Sequence, residues 1–137
     1  MNYKGYVSSR GFGGMTIPVP AQNSCLREYV SRNGGSYILP NLESSFDNCF
    51  HQLFGAAHNI SSGDLIVMYS LTMLPEGLKL DRFLGDCRIK GIGLAFVLEN
   101  IKVFGDFTKV LDEQRSYKLA GLELDKTGWE LISQTYY

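Results

Sequence analysis

Ser8-Ser9-Arg10-Gly11 sets two hydroxyls, a guanidinium and a glycine in consecutive positions. Together they form a donor set suited to a phosphate or a carboxylate, because a charged fork and closely approaching backbone amides both favour an anion. Gln22, and the pair Ser70 and Thr72, are polar residues able to reach the same place if the fold brings them there. The glycines Gly11, Gly13 and Gly14 also have a plainer reading, in which they permit a turn and Ser8 caps backbone groups. Gly11-Phe12-Gly13-Gly14 is neither a dinucleotide fingerprint nor a Walker loop, since the later glycine and any Gly-Lys-Ser/Thr are missing. His51 and His58 are seven apart, about 10 Å along a helix, with no ligand-type partner at i+3 or i+4, so neither a metal nor any other cofactor is expected. Cys49 and His51 are two positions apart on one helix and do not face each other, which argues against a cysteine nucleophile. Trp129 and Tyr136-Tyr137 read as packing or interface residues rather than base-stacking ones.

For the polar residues to meet, strand ends must converge. Tyr3 to Ser8 has strand preference and runs into the glycine cluster. The prolines within Thr16 to Pro20 predict extended backbone, with the first helix starting near Ala21 and carrying Cys25, Leu26, Tyr29 and Val30 on one face. Asn33-Gly34-Gly35 ends it, and Ser36 to Leu39 reads as a second strand. Phe46, Cys49, Phe50, Leu53, Phe54 and Ala57 mark a second helix, with Ser44 or Ser45 as its N-cap. Ser61-Ser62-Gly63-Asp64 is a turn, and the unbroken apolar run Leu65 to Tyr69 is a central parallel strand. Leu80, Phe83, Leu84 and Cys87 form the stripe of a third helix ending at Lys90-Gly91, and Leu94 to Leu98 is a fourth strand.

Strands and helices alternate through short connections, which requires crossovers. The expected fold is therefore a three-layer α/β domain, with a mainly parallel sheet of four to five strands and helices on both faces. Beyond it, Phe107 to Leu119 reads as helical, and Asp125 caps a short helix containing Trp129, Leu131 and Ile132. In open sheets of this kind ligands sit outside the carboxyl ends of the strands. That rim is made of Ser8 to Gly11, Pro40 to Glu43, Ser70 to Thr72 and Glu99-Asn100.

The 137 residues, 45% hydrophobic and 20% charged, suffice for one core. Thirteen Lys and Arg against fourteen Asp and Glu give a net charge of −1, which disfavours a free-standing binder of nucleic acid or of an anionic membrane. Cys25, Cys49 and Cys87 are unpaired in spacing and odd in number, so they are expected to be reduced core thiols in a cytoplasmic protein. Met1 to Val7 has one lysine and no apolar run, and no stretch is long enough to span a bilayer, so neither a targeting segment nor a membrane is expected.

Several motifs resemble the catalytic domain of serine recombinases of the resolvase and invertase type. They are Gly5-Tyr6 before a serine pair, Gln22-Asn23-Ser24-Cys25-Leu26-Arg27, Ser62-Gly63-Asp64-Leu65-Ile66-Val67, and Gly91-Ile92-Gly93-Leu94-Ala95-Phe96 through Ile101. The resemblance covers about residues 3 to 101 and implies a resolvase-like fold. Its chemistry does not carry over. An ungapped match sets Ser8 on the family's arginine and Arg10 on its nucleophilic serine, and only a one-residue shift makes Ser9 the nucleophile. Where the family continues leucine, aspartate, arginine, leucine, glycine, arginine, this chain has Leu71, Thr72, Met73, Leu74, Pro75 and Glu76. Both phosphate-facing arginines are gone, and no DNA-reading helix-turn-helix is expected.

The whole chain also resembles the sporadic carbohydrate cluster proteins, in Lys4 to Arg10, the Ser-Gly-Asp turn and Gly128 to Ile132. That resemblance implies a setting among genes for unusual surface sugars. The resulting expectation is a single domain over 1–137, with a recombinase-like core over 3–101 and a helical extension over 106–137. It would bind an anionic sugar or sugar-nucleotide through Ser8, Ser9, Arg10, Gly11, Gln22, Ser70 and Thr72, with Ser9 and Arg10 the catalytic candidates if it is an enzyme. A non-catalytic module, docking a pathway enzyme or forming a homodimer through the C-terminal aromatic segment, is the second reading.

Overall fold

The computed structural model describes residues 1–43, 46 and 49–116. Met1–Phe107 form one compact unit, and a second begins at Thr108 with a helix over residues 108–116. The expected elements beyond 116, and the serines 44 and 45, lie outside the described residues.

The first unit runs β1 (Asn2–Tyr6), α1 (Val19–Arg32), β2 (Ser36–Ile38), α2 (His51–Asn59), β3 (Leu65–Met68), a 3-10 turn (Leu71–Met73), α3 (Leu78–Lys90), β4 (Gly93–Phe96) and β5 (Ile101–Phe104). The sheet order is β2-β1-β3-β4-β5, parallel except for the last pair. Leu65, Ile66, Val67 and Met68 are all fully buried, as a strand covered on both faces must be. Alternation splits the side chains between two layers. Tyr3, Val7, Leu65, Val67 and Ala95 pack with Leu26, Tyr29 and Val30 of α1. On the other side, α2 and α3 pack together, with the Phe54 and Phe83 rings edge to face at 5.7 Å.

Three expectations need correction. α1 begins at Val19 rather than near Ala21: Pro18 is its cap residue in extended conformation, and Pro20 sits in the first turn, where its missing N–H is no loss. α2 begins at His51, later than the apolar pattern suggested, and Phe46 is exposed instead of lying on its buried face. The fourth strand stops at Phe96, because the chain turns at Val97–Asn100 and returns as the antiparallel edge strand β5. Asn100, at φ 54, takes the left-handed conformation that turn needs.

All three cysteines are free thiols; Cys87 is buried, whereas Cys25 and Cys49 are only half-buried. Burial pushes the Cys87 thiol from 9.0 up to about 12, with Asp86 adding to the rise. Unfolded chains lose this proton from about pH 9 while the folded protein keeps it to about 12, so the unfolded state binds fewer protons across that window. Tyr37, raised by burial from 10.0 to about 12, acts in the same direction. Stability is expected to fall steadily from about pH 9 upward, and urea titrations stepped through that range check it; a constant midpoint would contradict it.

Candidate functional site

β1 and β3 are neighbours, yet their connections leave toward opposite faces, α1 on one side and α3 on the other. At such a switch point the loops part and leave a crevice. A cavity of about 540 Å³ lies there, lined by Ser8, Arg10, Gly11, Phe12 and Gly13 after β1, by Thr72 to Glu76 after β3, and by Phe50 before α2.

The glycine loop is built as a tight hairpin. Phe12 and Met15 exchange backbone hydrogen bonds of 2.9 Å, and Gly13 and Gly14 between them have φ of 57° and 74°. Two consecutive left-handed residues are what a type I′ turn demands. Gly13 is further required because a Cβ there would lie 2.8 Å from Thr72 Oγ1. Phe12 is buried and leans on Tyr69, ring centroids 6.1 Å apart.

Arg10 is the cation of the cavity. Its guanidinium lies 4.3 Å from the centre of the Phe50 ring. Nη1 donates to the carbonyls of Cys49 and Phe46, and Nη2 donates to the Tyr6 hydroxyl at 3.2 Å. Three of the five N–H donors are spent in this way; Nε–H and one Nη2–H have no acceptor among the described residues.

Behind Arg10 stands a carboxylate that closes the expected rim segment Pro40 to Glu43 but for which no role was expected. Glu43 is 2% exposed, and its Oε2 accepts from Tyr6 Oη at 3.1 Å and from the amides of Gln52 and Leu53 at 2.9 and 3.3 Å. Those amides belong to the first turn of α2, so Glu43 does the work expected of a serine cap, with negative charge at the positive end of the helix. Cys49 Sγ lies 3.6 Å from its other oxygen. Burial, and then the charge of Glu43, raise the Tyr6 hydroxyl well above its ordinary value, so Tyr6 keeps its proton and donates it to Glu43 while accepting from Arg10.

The structure brings together four of the seven expected residues: Ser8, Arg10, Gly11 and Thr72 all line the cavity. Ser9 is exposed and outside the lining. Gln22 is fully buried and braces the loop, accepting from the Ser8 amide and donating to the Ser8 and Ile17 carbonyls. Ser70 is fully buried beneath Thr72, bonded to it and to Glu99. Among the described residues no group of three metal-ligating side chains occurs, and His51 and His58 are exposed. No described helix is long and apolar enough to cross a membrane.

No protein-family profile matches the chain. No curated protein sequence is detectably similar to it. Among solved structures, it is similar to a resolvase family site-specific recombinase from Streptococcus pneumoniae, at a TM-score of 0.61 and 13% identity, over 98% of this chain and 97% of the other. The fold is resolvase-like. At that identity the likeness concerns the backbone alone, and the chemistry must be read from the side chains present. Within this resolvase-like fold Met73 is buried at 3% exposure and Glu76 is an exposed acid at the cavity.

Proposed function

We propose that this protein binds an anionic sugar or sugar-nucleotide in the cavity at the switch point, as a cytoplasmic component of bacterial surface-carbohydrate biosynthesis and not as a DNA recombinase. The observation that carries the reading is Arg10. A half-buried guanidinium is held against Phe50 by three hydrogen bonds, and Nε–H and one Nη2–H are left to receive an anion. An immobilised cation loses little entropy on binding, so its remaining donors are worth more than those of a mobile surface arginine. The surroundings suit a sugar. The Ser8 and Thr72 hydroxyls offer hydrogen bonds, and Phe12, Met73 and Leu74 give apolar wall. The setting among surface-sugar genes comes from the resemblance in Lys4 to Arg10 and Gly128 to Ile132.

Glucose 1-phosphate and uridine diphosphate glucose are suitable probes. They are expected to raise the melting temperature of the wild-type protein. Arg10→Ala should weaken binding about 10- to 100-fold, the loss that follows when charge-assisted bonds are removed. Ser9→Ala should bind like wild type. An Arg10→Ala protein with undiminished ligand-induced shifts would remove the basis of the reading.

A further inference from the structure

The part of the cavity lining that follows β3 carries a hydrogen-bond chain of fixed direction. Ser70 Oγ donates to Glu99 Oε2 at 2.8 Å, and Glu99 Oε1 accepts from the Leu71 amide at 2.8 Å. A serine hydroxyl has one proton and two acceptor sites. With its proton on Glu99, Ser70 Oγ can only accept from its other neighbours, the Thr72 amide at 3.2 Å and Thr72 Oγ1 at 2.9 Å. Thr72 Oγ1 must therefore be the donor in the hydroxyl pair. Its only proton points inward to Ser70, and what it offers the cavity is lone pairs.

The chain of donors runs Thr72 to Ser70 to Glu99. Ser70 is completely buried and saturated, so it has no freedom to reverse. Thr72 Oγ1 accepts from no other group among the described residues. On the loop side it lies against Gly13, where a side chain would displace it. The cavity thus has donors on the Arg10 wall and an obligate acceptor on the Thr72 wall.

We infer that Glu99, acting through Ser70, fixes Thr72 as a hydrogen-bond acceptor that selects anionic ligands also presenting a hydroxyl donor. This rests on reading the cavity as an anion site. Thr72 is the specificity-determining contact, and Glu99 and Ser70 are positioning residues. A ligand lacking that hydroxyl leaves an acceptor dry and unpaired, the situation in which binding sites discriminate most strongly. A second anionic group at that wall would meet lone pairs and be repelled.

Glucose 1-phosphate and cyclohexyl phosphate test this, since they share a phosphate and a six-membered ring but only the first carries ring hydroxyls. Titration calorimetry on the wild-type protein should show glucose 1-phosphate binding at least about tenfold tighter. Thr72→Val should bring the two probes to within about twofold, by weakening glucose 1-phosphate and relieving cyclohexyl phosphate of the unpaired acceptor, and Thr72→Ser should keep the preference. Glu99→Gln should raise the affinity for glucose 1,6-bisphosphate relative to glucose 1-phosphate, because a carboxamide can donate to Ser70, turn the chain around and present the Thr72 proton to a second anionic group. If both probes bind wild type equally, or Thr72→Val keeps the preference, the inference is overturned while the anion site stands. If neither probe binds wild type, the anion reading falls and the inference falls with it.

Discussion

Glu43→Ala is expected to destabilise the protein by about 3 kcal/mol, the range for removing a buried carboxylate that several donors depend on. The Tyr6 hydroxyl and two amides of α2 lose their acceptor together. Tyr6 is 1% exposed and Leu53 fully buried, so water cannot take the place of the lost oxygen without opening the α2 end of the sheet. With a urea slope of about 1–3 kcal/mol per molar for a small domain, the unfolding midpoint should fall by about 1 M or more. Glu43→Gln keeps one carbonyl acceptor and should lose roughly half as much. Arg10 is affected as well, because its Nη2 leans on the hydroxyl that Glu43 orients. A Glu43→Ala midpoint indistinguishable from wild type would mean that the carboxylate contributes nothing to the end of α2.

The role of that carboxylate is not legible in the local sequence. Unbroken apolar runs and helical stripes carry their own periodicity, so β3, the Leu26, Tyr29 and Val30 face, and the Leu80, Phe83, Leu84 and Cys87 stripe were legible and are buried as expected. Serine caps are recognised because the acceptor sits beside the amides it serves. Glu43 serves Gln52 and Leu53 from nine and ten residues upstream, a separation with no local signature. Among the site residues, strand alternation could have separated Ser8 from Ser9, since neighbours on extended chain point apart. It could not have told that Gln22 spends its whole amide on the Ser8 and Ile17 backbone. Glu99 stood in the expected rim, but its partner Ser70 is 29 residues away, and only the fold pairs them. β5 was missed for a different reason. Ile-Lys-Val-Phe is a short alternating segment, and its turn is made by Asn100 in a left-handed conformation rather than by a glycine.

Supercoiled DNA incubated with the protein should remain uncut and free of covalently attached protein, at a level on the order of 10⁴-fold or more below a working recombinase. Three independent features lead there. Phosphoryl transfer depends chiefly on positive charge placed around the reacting phosphate, and removal of a single such donor costs about 10²- to 10³-fold. At the two positions where the recombinase pattern has arginine, this chain has Met73 and Glu76, the first buried and the second bearing the wrong sign. Arg10 cannot substitute for both of them, because it is a single charge whose remaining donors are Nε–H and one Nη2–H. Ser9, the serine a shifted match would make the nucleophile, is exposed and outside the cavity that contains Arg10. A net charge of −1 adds no attraction for the duplex to offset these losses. Detergent-quenched plasmid reactions resolved on a gel, with and without protease, provide the measurement. Nicked or linear DNA whose mobility changes on protease treatment, and which disappears in a Ser9→Ala variant, would establish recombinase chemistry and overturn this expectation.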